Sequence, residues 1–316
     1  MRAYKLHYFN YVKSCLKFAQ KQGMELIPQV QEVLNYIQLI DVSHIEDKVA
    51  AGRAFYEQFI PLAGEEESVF SVEHISIGRI YRPSNQANLP ALVYFHGGWF
   101  CAGSLDTHDR PLRQLANQSG AIILSVDYRL APEHPFPHGL NDCIAATKWV
   151  IENANQLGID SNRIAVAGDS AGGALATTVA GKFPNLICQV LIYPVTDSSL
   201  QTHSWKEFAE GPNLTLAGAI DAWEWYTTDK INAAPIYNKD LKNMPDTLLI
   251  TAEYDPLRDE AIQYAEKLRQ AHITVTETRY PKMIHGFFQM GGMIDEGKRA
   301  IQEVASYLKY KFSILK

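Results

Sequence analysis

Residues 163–173 read Arg-Ile-Ala-Val-Ala-Gly-Asp-Ser-Ala-Gly-Gly, and this stretch decides the fold. Its first half is an apolar run that predicts a buried strand, and a helical pattern follows it. Between them, Gly168, Ser170 and Gly172 form the pattern Gly-x-Ser-x-Gly on a sharp turn from strand to helix. Glycines are needed there because a strained turn that lifts the serine above the sheet leaves no room for Cβ atoms beside it. Ser170 is therefore the candidate nucleophile.

The chain around this turn has the alternating pattern of a parallel α/β fold. Residues 69–81 alternate apolar and polar side chains in part, which indicates an antiparallel strand. Short apolar runs then recur at residues 91–95, 121–126, 164–167, 190–193 and 247–251. Helical patterns separate several of them, at residues 111–118, 143–155, 172–183 and 259–271. Apolar strands alternating with helices are typical of a mostly parallel sheet that has helices on both faces.

Two regions lie outside this alternation. Residues 27–59 carry two helical patterns, and a polar run at residues 64–68 marks a boundary after them. We therefore expect an N-terminal helical segment at residues 1–65 and a main domain at residues 66–316. Within the main domain, a long excursion from the sheet at about residues 195–245 holds three of the five tryptophans. A long aromatic excursion of this kind usually covers a site.

A candidate acid and a candidate base follow the serine along the chain. Asp255 comes just after the apolar run 247–251, at the strand end where an open parallel sheet presents functional groups. His285 follows in the segment Met-Ile-His-Gly-Phe. Serine, acid and histidine in this order are what an α/β-hydrolase requires. Asp259 is the rival acid, but it lies a turn into the next predicted helix.

These residues give the chain a specific resemblance to the hormone-sensitive-lipase-like family of α/β-hydrolases, which includes bacterial carboxylesterases. The segments that carry the resemblance are His96-Gly97-Gly98, the run Asp-Tyr-Arg-Leu-Ala-Pro-Glu at 127–133, Gly168 to Gly173, Asp255 to Asp259, and His285-Gly286-Phe287. The resemblance implies an α/β-hydrolase fold with a helical cap, built from the N-terminal segment and the excursion. It also implies that Ser170, Asp255 and His285 cleave short-to-medium acyl esters through an acyl-enzyme, with no cofactor.

The charge that develops on the ester oxygen needs hydrogen-bond donors near the serine. The backbone N–H of Ala171, at the start of a predicted helix, is one candidate, and those of Gly97, Gly98 and Trp99 are the others. The family's pattern has a third glycine where this chain has Trp99. A backbone N–H remains there, but the large side chain beside the acyl carbon predicts a narrow pocket and a preference for short acyl chains.

Four further side chains are candidates for contact with the substrate: Cys101, Asp169, Trp205 and Phe208. Asp169 adjoins the nucleophile, Cys101 follows the glycine loop, and the two aromatic residues lie in the excursion. Structural alternatives stay open, since Asp169 could support the site from behind while Cys101 and Trp205 could pack in the interior. His96 is expected to brace its own loop rather than act as the base.

Neither a metal site nor a nucleotide site is predicted. His134 and His138 are four residues apart, but Pro135 and Pro137 forbid the helix that would bring both histidines to one face. The glycines at residues 168–173 lack the lysine of a phosphate-binding loop and the spacing of a dinucleotide site. A net charge of −6 also argues against a basic face for nucleic acid.

The composition, with 47% hydrophobic and 20% charged residues, is that of a globular protein and excludes a disordered or fibrous chain. No run of about 18 apolar residues predicts a membrane-spanning helix. The four cysteines form no Cys-x-x-Cys pair and are too few for a disulfide scaffold in a chain of 316 residues. They fit reduced thiols, and we expect the protein in the cytoplasm.

The first residues carry the only marked charge bias. Five basic residues precede the first acidic one, Glu25, on a helical pattern with apolar side chains at spacings of three and four. A secretory signal is not expected, because Asn10 and Lys13 interrupt the apolar stretch. We expect this helix to pack on the body of the protein, and contact with an anionic membrane surface is the alternative.

Other functions stay open at this level. An amidase or formamidase, or a peptidase, would use the same three residues, although the chain has no room for the separate propeller that many such peptidases carry. Relatives of the fold that lack the histidine are non-catalytic ligand-binding proteins, and His285 argues against that role here. The predicted edge segment 273–280 could pair two copies of the chain into a homodimer, as in some relatives.

Overall fold

A single sheet of eight strands runs through the centre of the molecule, which is known from a computed structural model that describes residues 15–314. The strands are β1 Ser71–Ile75, β2 Gly78–Arg82, β3 Leu89–Phe95, β4 Ile122–Val126, β5 Ile159–Asp169, β6 Cys188–Ile192, β7 Asp246–Tyr254 and β8 Val275–Ile284. They lie in the order β1-β2-β4-β3-β5-β6-β7-β8. β1 and β2 are antiparallel to their neighbours, and the other pairs are parallel. The predicted N-terminal basic helix lies mostly outside the described residues.

The inner strands are buried on both faces, as their apolar runs predict. Along β3, Val93 packs into one core cluster, whereas Leu92 and Tyr94 pack into a second cluster on the opposite face. This alternation follows from the two-residue repeat of a strand. A parallel sheet is covered on both faces because its crossover connections carry helices to either side.

The helices of the described residues are α1 Cys15–Lys21, α2 Pro28–Leu39, α3 Lys48–Glu57, α4 Asp109–Ser119, α5 His138–Glu152, α6 Ala171–Ala180, α7 His203–Glu207, α8 Leu216–Tyr226, α9 Lys230–Ala233, α10 Arg258–Gln270 and α11 Asp295–Ser313. The buried faces of α5, α6 and α10 belong to the first core cluster, and those of α2, α4 and α11 belong to the second. Helices therefore cover both faces of the sheet.

Two segments lie over the strand ends that carry the candidate site: α3, and the excursion with α7, α8 and α9. Lys48 at the start of α3 pairs with Asp221 on α8 at 3.4 Å, so the two segments meet. Both segments line one pocket above the sheet. By contrast, α2 buries Val33 and Ile37 in the core cluster of the second sheet face. In the predicted N-terminal segment, α3 therefore faces the pocket and α2 does not. We call α3 and the excursion the cap.

Candidate active site

The ends of β5, β7 and β8 bring Ser170, Asp255 and His285 together. His285 Nε2 lies 3.0 Å from Ser170 Oγ, and His285 Nδ1 lies 2.8 Å from Asp255 Oδ2. All three side chains are buried, and Asp255 is fully so. Residues as far as 115 positions apart in sequence thus form one chain of hydrogen bonds from hydroxyl to carboxylate. In this arrangement an imidazole can take a serine proton while the carboxylate orients the ring.

The turn that carries Ser170 is strained. Ser170 has φ 54° and ψ −120°, a conformation that residues with a side chain rarely adopt. A Cβ on Gly172 would lie 1.9 Å from the carbonyl oxygen of Phe95, and a Cβ on Gly168 would lie 2.2 Å from that of Gly172. Glycine at both positions therefore lets β5 turn sharply into α6 close to the end of β3, as the sequence pattern predicts.

The candidate acid and the candidate base are each held by a further contact. Asp255 Oδ1 accepts the backbone N–H of Leu257 at 2.9 Å, and Oδ2 is the oxygen that faces the imidazole. Asn213, which the excursion supplies, donates its side-chain amide to the backbone oxygen of His285 at 2.8 Å. The cap therefore contributes directly to the position of the candidate base.

Four backbone N–H groups are predicted to donate hydrogen bonds to the oxyanion, and one of them has another partner in the structure. The N–H of Gly97 donates to Asp169 Oδ1 at 3.0 Å, so this amide stabilises the loop instead of facing the reaction. Gly98 and Trp99 line the pocket beside Ser170, and Ala171 follows Ser170 as the first residue of α6. Gly98 has φ 120° and Trp99 has φ 54°, so the loop turns through backbone conformations that side chains disfavour.

Asp169 lines the cavity beside Ser170, but its carboxylate has several polar partners in the interior. Its carboxylate, which is 1% exposed, accepts the Tyr94 hydroxyl at 2.9 Å and lies 3.0 Å from His108 Nε2. Burial opposes ionisation of this carboxyl, yet the nearby His108 imidazole and Tyr94 hydroxyl hold its pKa below the ordinary value. His108 in turn contacts the side chain of Gln289, which lines the pocket. These contacts favour a supporting role for Asp169 over contact with the substrate.

His96 braces the same loop. Its Nδ1 lies 2.8 Å from the carbonyl oxygen of Gly97, and the Tyr128 hydroxyl donates to the His96 carbonyl oxygen at 2.7 Å. Burial lowers the pKa of His96 to about 3, so the ring is neutral. This matches the expectation that His96 holds its own loop, and Tyr128 shows that the Asp-Tyr-Arg-Leu-Ala-Pro-Glu segment supports it.

A cavity of about 140 Å³ lies between the cap and Ser170. Trp99 and Trp225 are among the aromatic residues in its walls. Trp205 and Phe208 are fully buried, and neither residue lines this cavity. The prediction that they contact the substrate is therefore wrong. Trp205 stays in the interior because its indole N–H has a hydrogen-bond acceptor there, Glu260. It packs behind Trp99, with ring centroids 6.3 Å apart.

Cys101 lines the cavity. Burial raises the pKa of its thiol to about 12, and the side chain is 5% exposed. A thiol with so high a pKa stays protonated at neutral pH and is a poor nucleophile. Cys101 is therefore a wall of the pocket rather than a reactive group.

Sequence reasoning missed several polar residues of the site, among them Asn213, His108 and Glu260. Glu260, on the first turn of α10, is fully buried and accepts the indole N–H of Trp205 at 2.7 Å. Burial raises its pKa to about 8. It directly follows the segment Asp255 to Asp259, and this adjacency is the one signal in the sequence. A buried carboxyl group has no local signature, because its hydrogen-bond partners come from remote segments.

The remaining negative predictions concern metals and membranes. Within residues 15–314, no group of three or more His, Cys, Asp or Glu side chains could hold a metal ion. The rings of His134 and His138 lie 5.9 Å apart, and His138 Nδ1 contacts the carbonyl oxygen of Pro135. None of the helices in the same range is long and apolar enough to cross a membrane.

Comparison with known proteins gives a consistent result. The family model described as alpha/beta hydrolase fold matches residues 92–289. Carboxylesterase NlhH of Mycobacterium tuberculosis is 43% identical over 249 residues, 73% of this chain and 77% of that protein. Ethyl acetate hydrolase of Pseudomonas putida is 33% identical over 308 residues, 87% of this chain and 96% of that protein. The solved structure of an esterase from the archaeon Pyrobaculum calidifontis has a TM-score of 0.82 at 38% identity, covering 91% of this chain and 99% of that one.

The sheet, its helices and the serine turn define an α/β-hydrolase, and the predicted fold class is confirmed. The chain belongs to the hormone-sensitive-lipase-like family of these proteins. Its activity is that of a carboxylesterase, an enzyme that hydrolyses small-molecule esters. The resemblance seen in the sequence is therefore confirmed in family and in reaction class.

Proposed function

We propose that Ser170, His285 and Asp255 hydrolyse the ester through an acyl-enzyme. The observation that carries this proposal is the continuous hydrogen-bond chain among them, at 3.0 and 2.8 Å. Ser170 Oγ attacks the carbonyl carbon while His285 Nε2 takes the hydroxyl proton. The tetrahedral intermediate then expels the alcohol, which receives that proton, and the acyl group stays on Ser170. Water deprotonated by the same imidazole releases the carboxylic acid and restores the serine.

Asp255 and three backbone amides stabilise the charges that develop. Asp255 accepts the Nδ1–H of His285, which keeps Nε2 free as the base and stabilises the imidazolium. Because Asp255 is 0% exposed, water does not screen this interaction. The N–H groups of Gly98, Trp99 and Ala171 donate hydrogen bonds to the oxyanion. Each such donor typically contributes about 3 kcal/mol to transition-state stabilisation.

The preferred substrate is a small, largely apolar ester. A cavity of about 140 Å³ has room for on the order of ten water-sized groups. Trp99, Trp225 and Phe55 line it with aromatic surface. Such a space suits a short acyl chain with a small alcohol, whereas a C12 chain has more carbon atoms than the cavity accommodates.

The test is hydrolysis of p-nitrophenyl esters from C2 to C12 by the wild type and by Ser170→Ala. We expect the highest kcat/KM at short chains and a loss of activity in the variant of at least about a thousandfold. Activity that survives in Ser170→Ala would remove Ser170 from its role. A maximum at C10 or C12 would leave Ser170 in place and refute the size preference. Matched anilides included in the series distinguish an amidase from an esterase.

The proposal extends to the assembly and location of the enzyme. The outer edge of β8 is a terminal edge of the sheet, and unpaired strand edges readily pair with a second copy. We therefore place a homodimer contact there. Light scattering that finds twice the monomer mass, reduced to one monomer by Thr276→Pro, supports this contact, and a monomer at all concentrations contradicts it. The buried free thiols of Cys101, Cys143 and Cys188 support a reducing, cytoplasmic location.

A further inference from the structure

Trp99, on the proposed oxyanion loop, forms part of the wall of the pocket. This residue has φ 54°, a backbone conformation in which a bulky side chain is disfavoured. Its ring packs against that of Trp205, with centroids 6.3 Å apart and planes inclined by 43°. Trp99 lines the cavity and is only partly buried, whereas Trp205 lies behind it at 0% exposed. The position of the Trp99 ring in the pocket wall thus depends on the contacts that fix Trp205.

Glu260 fixes the indole of Trp205. The indole N–H donates to Glu260 Oε2 at 2.7 Å. The other oxygen, Oε1, accepts the backbone N–H groups of Thr196 at 2.7 Å and Asp197 at 3.1 Å. Glu260 is 0% exposed, so any rotation of the indole would leave a buried carboxyl oxygen without its donor. This penalty holds the Trp205 ring in one orientation.

The backbone that carries Trp205 is held as well. Ser204 donates its N–H to Asp259 at 2.8 Å and its hydroxyl to the carbonyl oxygen of Pro256 at 2.7 Å. Both partners belong to the loop and first turn that follow Asp255. Trp205 is therefore anchored through its side chain and through its neighbour, on the same stretch of chain.

We propose that Trp205, fixed by Glu260, is a positioning residue that holds Trp99 as the wall limiting the length of the ester. This inference rests on the proposed function, because it assigns the size limit of that same pocket. Trp205 does not touch the substrate and acts through Trp99. If the anchor is weakened, Trp99 gains freedom to move and longer chains enter.

The experiment measures kcat/KM for p-nitrophenyl acetate and octanoate in the wild type and in Trp99→Gly, Trp205→Phe and Glu260→Gln. Trp99→Gly removes the wall and relieves the strained φ. We expect each variant to raise the octanoate-to-acetate ratio, by about tenfold for every two methylenes newly admitted. The decisive variant is the double substitution of Trp99→Gly with Trp205→Phe. If Trp205 acts through Trp99, the double variant has the same ratio as Trp99→Gly alone.

Trp223→Phe is the matched control. Trp223 is also a fully buried cap tryptophan, and its indole N–H has no hydrogen-bond partner among the described residues, so the exchange removes volume without removing a hydrogen bond. We expect it to leave the ratio unchanged. The inference is overturned if Trp223→Phe shifts the ratio as much as Trp205→Phe does, if both anchor variants leave the ratio unchanged, or if their effects add to that of Trp99→Gly. If Trp205→Phe does not fold, Glu260→Gln still tests the inference, because it alters the hydrogen-bond partner of Trp205 and leaves the tryptophan in place. Inactivity of the wild type on acetate, or activity in Ser170→Ala, would instead refute the proposed function.

Discussion

Asp169 lies next to the proposed nucleophile Ser170, and its Oδ1 accepts hydrogen bonds from the N–H of Gly97 and the hydroxyl of Tyr94. His108 Nε2 lies 3.0 Å from the same oxygen. A buried carboxylate with several donors is held firmly, and it holds its donors in return. By fixing Gly97, Asp169 sets the position of the next two residues, Gly98 and Trp99, whose amides we assign to the oxyanion.

We predict that Asp169→Asn lowers kcat by at least about tenfold and changes KM little, because a hydrogen bond to a charged group typically contributes about 1.5–3 kcal/mol. An amide keeps the shape of the side chain but removes the negative charge opposite His108. Steady-state kinetics on a short p-nitrophenyl ester measures both constants.

Tyr94→Phe is the control for this prediction, since it removes one donor and leaves the carboxylate with Gly97 and His108. Its effect on kcat should be smaller than that of Asp169→Asn. A rise in KM at unchanged kcat in Asp169→Asn would mean that Asp169 contacts the substrate after all.

At the scale of elements, α7 shows how a very short helix is kept in place. It has five residues, too few to be stable alone. Ser204 and Trp205 attach it to the start of α10 through Asp259 and Glu260. Those two acids follow Asp255 by one helical turn, so the cap is fastened to the segment that supplies the proposed catalytic acid. Hydrogen bonds therefore join the cap to the segment that positions Asp255.

The buried Glu260 predicts a pH dependence of stability. Burial raises its pKa from 4.5 to about 8 in the folded state, and the hydrogen bonds from Thr196, Trp205 and Asp197 only partly oppose this. Between those two values the folded protein binds a proton that the unfolded chain does not. The contribution of Glu260 to the free energy of unfolding therefore falls as pH rises through this window, by at most about 1.4 kcal/mol per pH unit.

Urea denaturation of the wild type and Glu260→Gln at pH 5, 6, 7 and 8 measures this contribution. The wild type should lose stability relative to the variant as the pH rises. Glu32→Gln, on the exposed side of α2, is the control and should follow the wild type at every pH. Parallel curves for the wild type and Glu260→Gln would refute the assignment.

At the scale of the whole molecule, Arg53 connects the N-terminal part of the cap to the catalytic body. Arg53 lies on α3, and its guanidinium forms a bidentate salt bridge with the carboxylate of Glu133, with N–O distances of 2.8 and 2.6 Å. It also donates to the carbonyl oxygens of Cys101 at 2.8 Å and Ala131 at 3.1 Å. One side chain thus joins α3, the oxyanion loop and the Asp-Tyr-Arg-Leu-Ala-Pro-Glu segment.

We predict that Arg53→Lys lowers the free energy of unfolding by about 1 kcal/mol, because an ammonium group cannot keep the planar fork that reaches all these acceptors. The estimate is small since the pair with Glu133 is partly exposed and screened by water. Thermal unfolding measures it. Arg299→Lys, at an exposed pair with Glu296, is the control and should unfold with the wild type. Equal melting temperatures for the two variants would contradict the prediction.

The succession of elements could be read from the sequence to a large extent. The apolar runs at residues 91–95 and 121–126 coincide with β3 and β4, and the helical pattern at 259–271 coincides with α10. Burial on both faces makes such strands apolar throughout, which is a local signal. The order of the strands in the sheet has no such signal. Similarly, the pattern at residues 27–59 predicts helices but does not say that α2 packs on the sheet while α3 faces the pocket.

Local patterns were enough to single out Ser170, Asp255 and His285, because a serine turn between two glycines and polar residues at strand ends are properties of short segments. Which residues line the pocket could be seen only in the tertiary structure. Whether Trp205 or Trp225 reaches the cavity depends on where Glu260 lies, and the hydrogen bond from Gly97 to Asp169 joins two different strand ends. Such contacts link segments far apart in sequence, and their energies exist only once the core has brought those segments together.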